Sequence, residues 1–250
     1  SNATLTTDVK ELIPNALLRR RMSEIVKSGV SVGMECINKV GAEKIDAIIT
    51  ATGLGCLADS EKFLKIILDN NEELLNPTPF IQSTFNTVGG QIALMCKNHS
   101  YNMTYTHRGS SLESAILDAV LLIENDEANN VLVGAFDFNT PTLKEILSKL
   151  RLWQSKELGE GAYFFVLSKE KTSNTIAGIT IPEFLSEPVS QEELSKKYTN
   201  LVYNNYKDCG IFHTASAAVM FDALNNFNKE THIYNSYLDC QPTIIHLYVV

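Results

Sequence analysis

Residues 100–126 read SYNMTYTHRGSSLESAILDAVLLIEND: an extended run, a short polar turn and a long apolar-striped segment in direct succession. Leu112, Ala115, Ile116, Ala119, Val120 and Ile123 recur at helical spacing and give the last segment one wide apolar face. Ser110 with Glu113 three residues later reads as a capping box, which places the helix start at the turn itself. NNVLVGAFDF (129–138) then completes a β-α-β unit, for which a right-handed crossover is the default. A turn from a strand into a buried helix faces free N–H groups and the positive end of the helix dipole, a setting that suits a thiolate or an oxyanion. Arg108 stands there instead, and a guanidinium stays protonated and is no nucleophile. It reads either as a solvated or salt-bridged turn residue, or as a plug in a pocket formerly used for chemistry.

Working outward, residues 8 to about 40 carry helical spacing, and KIDAIITATGLG (44–55) is a buried strand entering a Gly-containing turn. ADSEKFLKIILDN (58–70) is a helix with Asp59 or Ser60 as N-cap and Phe63, Leu64, Ile67 and Leu68 on one stripe. NPTPFIQSTFNTVGGQIALMC (76–96), with two prolines and Gly89-Gly90, is expected to be a sharply bent loop ahead of an apolar helix. Further on, GAYFFVLSK (161–169) and TIAGITIPEF (175–184) read as antiparallel strands joined by a polar turn at 170–174. Ser190 and Glu193 form a second capping box before a helix from about Gln191. FHTASAAVMFDALNNF (212–227) is a small-residue helix, and HIYNSY (232–237) and PTIIHLYVV (242–250) are closing strands. The class is α/β, with one continuous sheet arrangement expected across both halves.

Composition narrows the function classes. With 250 residues and 44% hydrophobic content the chain can bury one large core or two modest ones. Ser1-Asn2-Ala3 reads as the remnant of a cleaved tag. A net charge of −8 argues against a general nucleic-acid binder, although Arg19, Arg20 and Arg21 could dock an acidic partner or a phosphate if they are not simply a solvated helix face. Cys36, Cys56, Cys96, Cys209 and Cys240 are odd in number and scattered without a C-x-x-C pair, which fits a reducing compartment and neither a zinc site nor a disulfide framework. No apolar run is long enough for a membrane span, and the expected location is cytoplasmic.

The order of these segments resembles the β-ketoacyl synthases of the thiolase superfamily. Thr106-His107-Arg108-Gly109-Ser110-Ser111 is similar to the family's T-A-C-x-x-S nucleophile motif, with Arg108 in the cysteine's place. NTVGGQIAL (86–94) resembles the N-x-x-x-G-x-I-A loop ahead of the nucleophile, and Glu160-Gly161-Ala162 with its strand resembles G-E-G-A. GIFHTASAAVMFDAL (210–224) resembles the G-H-x-x-G-A-A-G-A helix start, and IYNSYLDCQPTIIHL (233–247) the terminal N-S-F-G-F-G-G-T-N segment. The resemblance implies one thiolase-like domain over 4–250 in α-β-α-β-α layers, with a first half-repeat over 4–158 and a shortened second over 159–250. It puts His213 in the place of the second catalytic histidine, and Thr106, His107, Gly109, Ser110, Asn235 and Ser236 around an acyl substrate. The family's other histidine would fall between about 184 and 205, where no histidine occurs, and its lysine is out of register, with Lys207 close by.

Family members that have lost the cysteine pair with an active synthase and set product length; they are called chain-length factors. The resemblance therefore implies a non-catalytic subunit of fatty-acid or polyketide type, in an aryl-polyene or alkylresorcinol-like pathway, and no cofactor or metal. Its partners would be acyl carrier protein and an active synthase, or a second copy, joined through the strand near residues 100 to 106. Two other functions stay open: an active acyltransferase with Cys209, four residues before His213, as a displaced nucleophile, and an acyl or carrier-protein binding module.

Overall fold

The computed structural model describes residues 7–152, 157–204, 206–207, 209–238 and 240–250, so the expected tag remnant lies outside the described residues. Two short helices, α1 (Val9–Leu12) and α2 (Ala16–Arg21), are capped by the Asp8 and Asn15 side chains and lead into the long α3 (Glu24–Val40). β1 (Ala47–Ala51) is buried at every position, as its nearly continuous apolar run requires, with the Thr50 hydroxyl met by Thr104 Oγ1. α4 (Leu57–Asp69) begins at Cys56 rather than at Asp59 or Ser60. α5 (Pro77–Gln82) and α6 (Thr87–Cys96) occupy most of the stretch expected to be a loop. The Gly89-Gly90 pair lies inside α6, where packing against α3 and β1 outweighs glycine's poor helix propensity.

β2 (Tyr101–Tyr105), α7 (Ser111–Glu124) and β3 (Asn130–Asp137) follow as read from the sequence, then α8 (Pro141–Lys149) and β4 (Gly161–Ser168). The first sheet has the order β2-β1-β3-β4, parallel except for β4, which returns antiparallel to β3. It thus runs past the expected half-repeat boundary at residue 158. β5 (Gly178–Ile179), β6 (Glu183–Phe184), α9 (Gln191–Lys197), β7 (Leu201–Tyr203), α10 (Ala215–Asn225), β8 (Thr231–Asn235) and β9 (Thr243–Tyr248) complete the chain. The second sheet is ordered β5-β9-β8-β7, with β6 also on β9. The expected pairing of β4 with the 175–184 strands does not form, and the described strands divide between two sheets instead of forming one continuous arrangement.

Strand pleating explains the layers, because alternate residues must face opposite sides. Ile49, Val131 and Val133 of the first sheet and Ile233, Ile245 and Leu247 of the second join one core with Ala115, Ile116 and Ala119 of α7 and Ala217 and Met220 of α10. α7 and α10 therefore lie between the sheets, and their alanines let both sheets close on them. The other face of the first sheet, Ile48, Leu132 and Phe136, packs on Ile25, Val30 and Ile37 of α3 and on Val88 and Ile92 of α6. On the outer face of the second sheet Tyr234 and Ile244 pack on Leu194 of α9 and on Tyr198, the residue that follows it. The result is α-β-α-β-α layering.

Candidate functional site

The turn between β2 and α7 is held from behind. Arg108 adopts φ +52°, in the left-handed region where a residue with a Cβ costs roughly 1 kcal/mol or more, so the surroundings must fix it. Ser111 Oγ lies 3.0 Å from Thr52 O and 2.7 Å from Arg108 O. Asn235 Nδ2 donates to Gly109 O at 2.7 Å and to Glu113 Oε1 at 3.0 Å, while Asn235 Oδ1 accepts from Asn204 Nδ2 at 3.1 Å. A Cβ at Gly109 would stand 2.3 Å from Tyr237 Cβ, so only glycine lets the turn seat on Tyr237. Thr106, His107 and Arg108 are exposed, and Gly109 and Ser110 are buried.

The expected Ser110–Glu113 capping box does not form. Ser110 Oγ donates to His107 O at 3.1 Å, and Glu113 turns into the core towards Asn235. The reason is burial: the start of α7 is walled in by the second sheet, and the Asn235 amide is the donor within reach. Burial pushes the Glu113 carboxyl above its ordinary range, against the opposing pull of its hydrogen-bond donors. His107, from the same turn, pairs through Nδ1 with Ser114 Oγ at 2.9 Å.

The second anchor is Asp137, at the end of β3 and fully enclosed. Its carboxylate accepts from Thr52 Oγ1 at 2.8 Å, from the Gly53 and Leu54 amides at 3.0 Å, and from Thr214 N and Oγ1 at 3.1 and 2.9 Å. One side chain thereby ties the loop after β1 to the N-terminus of α10, where a negative charge is favoured. That connection sets His213, the residue before the Thr214 N-cap, directly against the loop. A Cβ at Gly53 would lie 2.2 Å from His213 Cβ. The His213 ring also sits 4.6 Å from the Tyr237 ring. Burial pushes His213 below its usual pKa, Asp137 opposes this and Arg108 adds to it, a balance that favours the neutral imidazole. Burial likewise pushes the Asp137 carboxyl up, with His213 the first of several opposing influences.

Beside His213 opens a cavity of about 190 Å³, walled by Leu54, Leu143, Leu147, Leu158, Ile211 and Phe212, with Asp137, Asn139 and His213 as its polar side and Tyr237 and Leu238 closing it. This is below the roughly 300–1,000 Å³ of pockets for drug-sized ligands and suits a short apolar chain with one polar end. The structure thus brings together His213, Gly109, Asn235 and, through its charge on His213, Arg108. It leaves Cys209 outside the cavity lining, half-buried against Tyr206, Ile211 and Phe212, with Sγ 3.3 Å from Gly210 O. Ser236 contributes its carbonyl, which accepts from Tyr206 Oη at 3.1 Å. Asp137, Gly53 and Tyr237 carried no role in the sequence, and Glu113 was expected only as a capping-box acid. The available signal was a single acid closing an otherwise apolar strand in one case and an acid on an apolar helix in another.

The β-ketoacyl synthase N-terminal domain family matches residues 2–153, which is more than half of the chain. The chain belongs to this family. Comparison with curated proteins gives no match. Among solved structures, a type II polyketide synthase acyl-carrier protein in complex with its ketosynthase bound to the hexaketide aligns at TM-score 0.79 and 16% identity, over 98% of this chain and 89% of that one. The ishigamide ketosynthase/chain length factor aligns at TM-score 0.76 and 12% identity, over 98% and 86%. The ketosynthase ApeO in complex with its chain length factor ApeC from Xenorhabdus doucetiae aligns at TM-score 0.61 and 16% identity, over 91% and 79%. At these identities the likeness is one of fold, and the fold of this β-ketoacyl synthase family member is the thiolase-like α/β fold. No helix among the described residues is long and apolar enough to cross a membrane.

Proposed function

We propose that this chain is a synthase-like subunit without condensation activity of its own, of the chain-length-factor kind. The observation that carries the reading is Arg108, held by a buried framework at the strand-to-helix turn where the resemblance puts the family's cysteine. Decarboxylative condensation needs a thiolate to take the acyl group. No cysteine is among the residues lining the cavity at His213. Neutral His213 then serves as a polar contact for an acyl group, with Gly109, Ser110 and Asn235 supporting the turn, and Thr106 and His107 at its exposed rim. The donor would be acyl carrier protein, and the pathway an aryl-polyene or alkylresorcinol-like one, as the resemblance implies.

The partner would be an active synthase or a second copy, docked along β2. That strand is the edge of the first sheet, and its Tyr101 and Met103 are about 40% exposed. An edge strand with free backbone groups is a ready pairing surface. We also read the chain as one domain over 4–250 with a reduced second half, because β5 and β6 have two residues each and β7 three.

Size-exclusion chromatography with light scattering tests the pairing: purified alone, the chain is expected to self-associate, and a monodisperse monomer would contradict the reading. Iodoacetamide alkylation tests the nucleophile. Slow labelling of Cys209, in line with the other cysteines, is expected, and selective fast labelling would favour a transferase with a displaced nucleophile. Thermal protection of a monomer by an acyl thioester would favour a plain acyl-binding module.

A further inference from the structure

The outer face of the second sheet carries a polar cluster that the acyl cavity does not use. Ile233, Ile245 and Leu247 point into the core, so the pleat sends His232 and His246 to the opposite face, beside Tyr198 at the end of α9. The two histidines are directly opposite in the β8–β9 register, with their rings parallel and 4.4 Å apart. Glu230, just ahead of β8, places Oε1 2.7 Å from His246 Nε2. His232 Nδ1 lies 2.9 Å from Thr199 O. A carbonyl only accepts, so Nδ1 carries the hydrogen and in the neutral ring Nε2 is the nitrogen with a lone pair.

We propose that Glu230, His232 and His246 form a binding site for a divalent first-row cation of the Zn²⁺ class. Each offers one ligand atom, and the three atoms lie within 4.8 Å of one another. Ligand atoms about 2.0–2.1 Å from a tetrahedral zinc are about 3.4 Å apart, a spacing inside the 4.8 Å within which the three atoms lie. The two ring planes are parallel, so their in-plane lone pairs do not converge as they stand, and the triad closes when the His246 ring rotates out of the stack while His232 stays on Thr199 O. His232 is already oriented as zinc-ligating histidines are, with its other ring nitrogen donating to a backbone carbonyl. At His246 the cation takes the place of the proton shared with Glu230, and water fills the fourth position. Two imidazoles favour Zn²⁺ over Mg²⁺ or Ca²⁺, which prefer all-oxygen shells. Glu183 adds negative charge next to His232, while its carboxylate is engaged by Tyr198 Oη at 2.7 Å and Lys197 Nζ at 3.1 Å.

The ion is a clasp and not a catalyst, since none of its ligands lines the cavity. It would join β8 to β9, and β8 runs directly from His232 to Asn235, the residue that holds the Arg108 turn. The test is isothermal titration of tag-free, EDTA-treated protein with Zn²⁺, alongside Co²⁺ absorption spectroscopy. The expected result is one Zn²⁺ per chain, visible Co²⁺ d–d bands, no competition from excess Mg²⁺, and a melting temperature that rises with Zn²⁺. His246→Ala and Glu230→Gln should each weaken binding about tenfold or more and abolish the rise in melting temperature. Glu230→Gln precedes the strand, so it reports even if the His246 variant fails to fold. No stoichiometric uptake, or uptake unchanged in Glu230→Gln, overturns the proposal.

Discussion

Replacing Glu113 by glutamine isolates one ionisable group in the framework behind Arg108. Glu113 is fully buried, with Oε1 accepting from Asn235, and burial pushes its carboxyl above the ordinary range. The Ser216 and Thr243 hydroxyls near it pull in the other direction, although neither meets Oε2 in hydrogen-bond geometry. The native chain therefore keeps a proton that the unfolded chain releases once the pH passes about 4.3. Above that pH the native state binds more protons than the unfolded state, and this group's contribution falls by about 1.4 kcal/mol per pH unit until the native carboxyl ionises. Glutamine keeps the acceptor for Asn235 and cannot titrate. Glu113→Gln should match wild type near pH 4.5 and gain on it as the pH rises. The gap widens by about 1.4 kcal/mol per unit, or about 3–5 °C in melting temperature for a chain of this size. Asp137 is present in both proteins and cancels in the difference. Urea unfolding from pH 4.5 to 8 measures the gap. Parallel curves, or a variant that loses ground as the pH rises, would show that Glu113 is ionised in the native state and refute the reasoning.

Gly53→Ala should cost about 1–3 kcal/mol by forcing His213 from its seat, read as a lower melting temperature and a shifted His213 ring resonance. Asn235→Ala removes the donor to Gly109 O and Glu113 and strands the Asn204 amide; urea unfolding should show a loss of about 2–4 kcal/mol. The NMR titration midpoint of His213 should lie below 6.5, rise in Arg108→Ala, which removes a repelling cation, and fall in Asp137→Asn, which removes an attracting anion.

The element order was readable because the pattern is local: the α7 stripe and the small-residue α10 each declare a helix that must be buried, and both fill the middle layer. The division into two sheets was not readable, since a strand such as β4 carries its own pleat but no mark of its neighbour. The start of α6 falls before Gly89-Gly90 and not after it, because glycine propensity is a weak prior that packing on α3 and β1 overrides. At the site, Arg108, His213, Gly109 and Asn235 could be placed through motif order. Asp137 could not, because its partners at Thr52, Gly53, Leu54 and Thr214 come from distant parts of the chain and only the fold assembles them. The false capping box at Ser110 shows the same limit, as Asn235 competes for Glu113 from across the core.

The central claim is that Arg108 has replaced the nucleophile and no other residue has taken over. Intact-protein mass spectrometry after incubation with an acyl-carrier-protein thioester, with an active synthase as positive control, tests it most directly. The chain should keep its unmodified mass under conditions that acylate the control. A stable acyl adduct on this chain, mapped to Cys209 or any other residue, would contradict the account.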